Sequence, residues 1–226
     1  MAHKLSERVL QADVEIPAAG HLLKGTLTLP AGCKSIVLFA HGSGSGRFSP
    51  RNQFVAGVLQ AAGIGTLLMD LLEEIEEDDR EKVFDIELLA ERLQGAADWI
   101  RQQPDTQGCR LGYFGASTGA AAALVAAARQ PKDIDAVVSR GGRPDLAADY
   151  LARVKAPTLL IVGGNDDVVI TLNEEALAML RCPKQLVVIP GATHLFPEPG
   201  ALEEVARLAS EWFTHPGGKT HAMHRE

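Results

Sequence analysis

Gly112-Tyr-Phe-Gly-Ala-Ser117-Thr-Gly-Ala-Ala121 is the stretch on which the reading of this chain turns. It follows an apolar run at residues 110–114 and leads into an Ala-rich helical pattern over 118–129. Inside it lies Gly115-x-Ser117-x-Gly119. Strand, tight turn and helix around such a triplet is the context in which a serine is exposed at the edge of a sheet as a nucleophile. A sharp, strained turn at the serine requires neighbours without side chains, so that strand and helix can approach closely. The same turn aims backbone N–H groups and a helix N-terminus at the place where an oxyanion would form.

Outward from this point the chain alternates apolar runs with helical patterns. Toward the N-terminus the spacing predicts strands at 35–40 and 64–69 with a helix over 52–62 between them, then a long helix over 84–103. Toward the C-terminus it predicts strands at 136–138, 158–162 and 185–189, separated by helices near 145–152 and 173–180 and closed by one over 202–213. Strands that are apolar throughout, rather than alternating, are covered on both faces, and the helices between them supply parallel crossovers. Residues 9–16 and 22–29, joined by a short Gly-containing turn, read as an antiparallel hairpin. The expected architecture is α/β: a doubly wound, mostly parallel sheet with an antiparallel N-terminal hairpin. One domain over 1–214 is expected, with 215–226 as a flexible polar tail carrying His215, His221 and His224.

The 226 residues are 46% hydrophobic and 23% charged, the balance of a globular chain with a substantial core. A net charge of −7 disfavours a nucleic-acid partner, which needs a basic face. No run reaches the roughly 18 apolar residues of a membrane span, and the first residues lack the apolar centre of a signal peptide. Cys33, Cys109 and Cys182 form no Cys-x-x-Cys pair and read as reduced thiols, so a cytoplasmic location is expected. The acidic run 73–82 reads as a solvated loop or frayed helix start, with a carboxylate metal cluster as the weaker alternative.

A serine needs a base to take its proton and an acid to orient that base. Downstream of Ser117, the apolar run ending in Gly163-Gly-Asn-Asp166-Asp167-Val-Val169 places two carboxylates at the sheet edge where such folds bind ligands. His194, in Gly191-Ala-Thr-His194-Leu-Phe, follows the next strand and is the sole histidine between Ser117 and the tail. Serine, acid, histidine is the chain order that a hydrolase of this architecture uses.

Together these motifs resemble the dienelactone hydrolase-like branch of the α/β-hydrolases, over residues 25–213. The resemblance aligns Gly163, Asp166 and Val169 with the family's Gly-x-x-Asp-x-x-Val, which makes Asp166 the implied triad acid and Asp167 the fallback. It also implies that His41-Gly42-Ser43 is the oxyanion loop, with the backbone N–H groups of Ser43 and Thr118 as donors. A dinucleotide-binding glycine loop does not fit, because Arg47 stands where the third glycine belongs. His41 reads as a structural neighbour of that loop. Dienelactone hydrolase itself carries a cysteine nucleophile, and Ser117 in its place points to a carboxylesterase-like relative.

The expected function is hydrolysis of small soluble carboxylic esters through an acyl-enzyme, with no cofactor. Only residues 139–156 separate the strand after the Ser117 helix from the acid-bearing strand, too few for a lid domain. Thioesterase or lactone hydrolysis, and a non-catalytic binding module, are the alternatives. Arg47, Arg51, Arg140 and Arg143 fall in loops expected at the same edge. Arg47 and Arg140 are the candidate substrate contacts for an acidic substrate, against the blander reading of surface ion pairs.

Overall fold

The computed structural model describes residues 9–219; the part of the expected tail beyond them, with His221 and His224, lies outside the described residues. One eight-stranded sheet runs through the chain in the order β1-β2-β4-β3-β5-β6-β7-β8. Strands β1 (Leu10–Ala18) and β2 (His21–Leu29) form the antiparallel hairpin, and β2 is also antiparallel to β4 (Gly65–Met69). All remaining pairings are parallel, through β3 (Ser35–Ala40), β5 (Arg110–Ala116), β6 (Ala136–Arg140), β7 (Thr158–Gly163) and β8 (Lys184–Ile189).

The continuous apolar runs have the cause expected of them. In β3, Ile36, Leu38 and Ala40 face one core while Val37 and Phe39 face the other. Helices α1 (Pro50–Ala61) and α7 (Ala201–Thr214) pack together over the second core. Helix α3 (Ile86–Gln102) packs on α4 (Thr118–Arg129) over the first, with α6 (Asp167–Met179) beside β7 and β8. Every residue of α4 from Thr118 to Ala128 is buried, and its alanines let that helix lie close to the sheet.

Two segments differ from the sequence expectation. Helix α6 begins six residues before the 173 expected, because Val168-Val-Ile-Thr is β-branched and reads poorly as helix. Packing overrides that propensity: Val169 and Asn173 are buried, and the Asn173 amide donates to the Gly142 carbonyl at 3.0 Å. The acidic run is also not solvated throughout. It forms a 3-10 turn at Glu74–Glu76 and the short helix α2 (Arg80–Val83), which precedes α3, and Glu76 is buried. A short helix, α5 (Ala148–Leu151), follows a 3-10 turn at Pro144–Ala147. No helix among the described residues is long and apolar enough to cross a membrane.

Candidate active site

Ser117 sits between β5 and α4 with φ 51° and ψ −121°, a left-handed backbone for a residue with a side chain. Such a conformation costs on the order of 1–3 kcal/mol and persists only where the surroundings impose it. The surroundings here are two glycines. A Cβ on Gly115 would lie 2.4 Å from the Ala120 Cα, and one on Gly119 would lie 2.2 Å from the Ala40 carbonyl oxygen. Helix α4 carries no acidic residue in its first turn, so its positive end is uncompensated at Ser117.

The acid and the histidine arrive on the loops after β7 and β8, and those two loops are stitched to each other. The Gly164 amide donates to the Ile189 carbonyl at 2.8 Å, and the Asn165 amide to the Ala192 carbonyl at 2.9 Å. The Asn165 side chain adds a bond to the Gly191 carbonyl at 2.9 Å. Across this seam His194 Nδ1 meets Asp166 Oδ2 at 2.7 Å. Asp167, by contrast, is an exposed first residue of α6, so it is Asp166 that reaches the imidazole. Phe196, buried and with φ 56°, closes a tight turn whose amide returns to the Thr193 carbonyl at 3.1 Å, which anchors the histidine loop. The other ring nitrogen of His194 makes no hydrogen bond to Ser117. In unliganded hydrolases this contact commonly tightens only when substrate binds.

The loop after β3 lies against the serine turn. A Cβ on Gly42 would stand 3.0 Å from the Ser117 Cβ, and the Ser43 amide donates to the Thr118 hydroxyl at 3.1 Å. His41 is structural: its Nδ1 contacts the Gly42 carbonyl at 2.9 Å, and its Nε2 accepts from the Leu71 amide at 2.9 Å. Burial pushes its pKa down, so the ring is neutral and fixed as the Nδ1–H tautomer.

Of the four arginines expected in loops, Arg51 lies in α1 and Arg140 ends β6, and the four sort into two kinds. Arg47 is held by Asp70, which accepts from both its backbone amide and its guanidinium. Arg143 forms a two-pronged bond with Asp145 at 2.9 and 2.8 Å. Arg140, at the end of β6, is 6% exposed, and neither its guanidinium nor that of Arg51 makes a hydrogen bond or ion pair to any described residue. Burial first, and then the charge of Arg51, pull the Arg140 pKa down to about 10. Arg51 came into view from sequence only as one of four loop arginines; Asp70 and Phe196 carried no signal beyond their place in ordinary strand and loop text.

A groove of about 990 Å³ opens beside the serine turn, lined by Ser43, Arg51 and Thr118 and also by Leu22, Glu73 and Glu74. The acidic segment is therefore one wall of the groove. His21, Glu73 and Glu76 bring ligand atoms within 4.8 Å of one another, the cluster that a metal would need. Both Glu76 oxygens are already engaged, by Arg92 at 2.6 and 2.9 Å and by Lys82 at 2.8 Å, so protein cations neutralise that carboxylate.

Comparison with known proteins gives the family. The model of the dienelactone hydrolase family matches residues 69–214. This chain belongs to the dienelactone hydrolase family. A dienelactone hydrolase from Anabaena variabilis, known as a crystal structure, is 60% identical, covering 92% of this chain and 98% of that one, with a TM-score of 0.89. The esterase Est1E from Butyrivibrio proteoclasticus shares the fold, with a TM-score of 0.77 at 16% identity over 89% of this chain and 97% of that one. A Mycobacterium tuberculosis protein named "Putative phosphoribosyl transferase" is 60% identical over 198 residues, which is 88% of this chain and 44% of that protein. The chain thus spans less than half the length of the curated relatives it matches at this identity. By family and by structural likeness the chain has the α/β-hydrolase fold.

Proposed function

We propose that this dienelactone hydrolase family member is a serine hydrolase that cleaves small carboxylic esters through an acyl-enzyme. The Asp166–His194 bond of 2.7 Å, on the sheet edge that carries Ser117, is the observation that supports it most directly. Ser117 Oγ attacks the ester carbonyl while His194 Nε2 takes its proton. Asp166 holds the ring through Nδ1 and stabilises the imidazolium that forms. The carbonyl oxygen, now negative, lies against the backbone N–H groups of Ser43 and Thr118 at the positive end of α4. Collapse of the tetrahedral intermediate expels the alcohol, which leaves with the proton from His194. A water, deprotonated by the same ring, then attacks the acyl carbon; as the bond to Ser117 Oγ breaks, His194 returns the proton to Oγ and the acid is released.

The groove beside the serine turn is open rather than roofed by a lid domain, which suits small substrates. Arg47 and Arg140 are the candidate substrate contacts; Arg47 reaches a ligand only by sharing a guanidinium that Asp70 already engages. Three free thiols suit a reducing compartment, and we place the enzyme in the cytoplasm. The phosphoribosyl transferase name belongs to a protein more than twice as long as the matched segment, and the serine, acid and histidine here carry acyl-transfer chemistry. Labelling with a fluorophosphonate probe tests the proposal. Wild type should react covalently at Ser117 and Ser117→Ala should not; an unlabelled, folded wild type contradicts it.

A further inference from the structure

Charged groups inside a protein are paired, because an unpaired one loses its hydration with nothing in return. Arg47 and Arg143 obey this rule, with Asp70 and Asp145 as partners. Arg51 and Arg140 break it. Their Nε atoms are buried without a hydrogen-bond partner, and neither guanidinium meets a carboxylate among the described residues. Both residues instead flank the serine turn, Arg140 through its backbone bond to Ser117 and Arg51 beside Ser43 and Thr118, and after burial it is the charge of Arg51 that disfavours the charge on Arg140. The Phe196 ring, 6.0 Å from the Arg140 guanidinium, offers only a weak face to it. Arg51 stands in the first turn of α1, a twelve-residue helix with no acidic residue there, so a helix N-terminus adds a third positive element.

This cluster borders the reaction centre. The Arg140 carbonyl accepts from the Ser117 amide at 3.3 Å, Phe196 lies two residues beyond His194, and Arg51 lines the groove beside Ser43 and Thr118. We propose that Arg51 and Arg140 form a phosphate subsite, and that the ester cleaved at Ser117 carries a phosphate monoester group. The assignment rests on the hydrolase reading above and deepens it by naming a second group on the substrate. Two uncompensated guanidiniums call for about two negative charges. A phosphate monoester carries about −1.5 to −2 at neutral pH and offers three acceptor oxygens, whereas a carboxylate supplies one charge. Guanidinium forks and helix N-termini are both suited to phosphate oxygens. The phosphate is held, not cleaved; the bond that breaks is the carboxylic ester.

Calorimetric titration of the whole chain with inorganic phosphate, and separately with acetate at the same ionic strength, tests this without any turnover. Saturable binding of phosphate is expected, at least about tenfold tighter than acetate, with Arg140→Met and Arg51→Gln each weakening it at least about tenfold. Arg140→Met should also melt at a higher temperature than wild type in phosphate-free buffer, since it removes a buried, unpaired charge; an arginine kept only for structure would give the opposite shift. Acetate binding as tightly as phosphate, phosphate binding no better than chloride, or undiminished binding in Arg51→Gln would each overturn the proposal. Arg51 is not fully buried, so its variant decides the matter even if Arg140→Met does not fold. Phosphate binding by a protein inert toward esters would sink the hydrolase reading and leave the anion site standing; the reverse pattern would do the opposite.

Discussion

The backbone amide of Ser43 donates to the side-chain hydroxyl of Thr118 at 3.1 Å, joining the loop after β3 to the start of α4, 75 positions away in sequence. This bond sets the spacing between the two amides that we assign to the oxyanion. It also means that the Ser43 N–H already has an acceptor before substrate arrives, and must exchange it for the developing oxyanion.

Because the proposed donors are backbone groups, Thr118→Ala should keep both of them. Its kcat for a p-nitrophenyl ester should fall by less than about tenfold, far short of the roughly 10²–10³ that loss of an oxyanion donor costs. A drop of a hundredfold or more would make the hydroxyl itself, rather than the amides, the working group.

Asp166 acts through His194. Asp166→Asn should lower kcat by a factor on the order of 10³–10⁴ with little change in KM, as the amide favours the wrong imidazole tautomer. Asp167→Asn, on an exposed residue, should leave kcat within about twofold. Steady-state kinetics of the pair separates the two carboxylates.

Gly119→Ala puts a methyl group 2.2 Å from the Ala40 carbonyl oxygen, a contact relieved only by moving β3 or α4. We expect a loss of about 1–3 kcal/mol or more in urea unfolding, together with loss of activity.

Glu76 and Arg92 form a two-pronged ion pair in which both side chains are nearly inaccessible to solvent. Glu76→Ala leaves Arg92 buried and uncompensated, and should cost about 3–5 kcal/mol of stability. Replacing both residues together with apolar side chains should cost much less, which a double-mutant cycle in urea would show.

Stability should also fall with acid in two windows. His41 has a pKa below its ordinary value when folded, so the unfolded chain binds the extra proton first. Its contribution is complete above about pH 6.5 and is lost as the pH falls below that toward the folded value. The Glu76 carboxyl is held far below its ordinary value, chiefly by Arg92, so its contribution begins to disappear below about pH 4.5. In His41→Asn the upper window should vanish from the pH dependence of the unfolding free energy.

The sheet was readable from sequence because its strands carry a strong signal: runs such as Ser35–Ala40 are buried on both faces and so are apolar throughout. The candidates Ser117, Asp166 and His194 stand out in the sequence because each follows an apolar strand at a glycine-marked turn, and the structure brings Asp166 and His194 together. What escaped was set by contacts between distant segments. In sequence Glu76 is one carboxylate in a charged run; its partner Arg92 lies on the buried face of α3, beside Leu89, Leu93 and Ala96. An arginine in that stripe demands a partner, and that was the available signal. Likewise four loop arginines look alike in sequence. Only the neighbours Asp70 and Asp145 separate Arg47 and Arg143 from the unpaired Arg51 and Arg140.

The most direct test of the central claim is hydrolysis of p-nitrophenyl acetate and butyrate by wild type and by Ser117→Ala. Saturable turnover that falls to the background rate in the mutant is the predicted result. A folded wild type no faster than its Ser117→Ala variant on either ester would contradict the account.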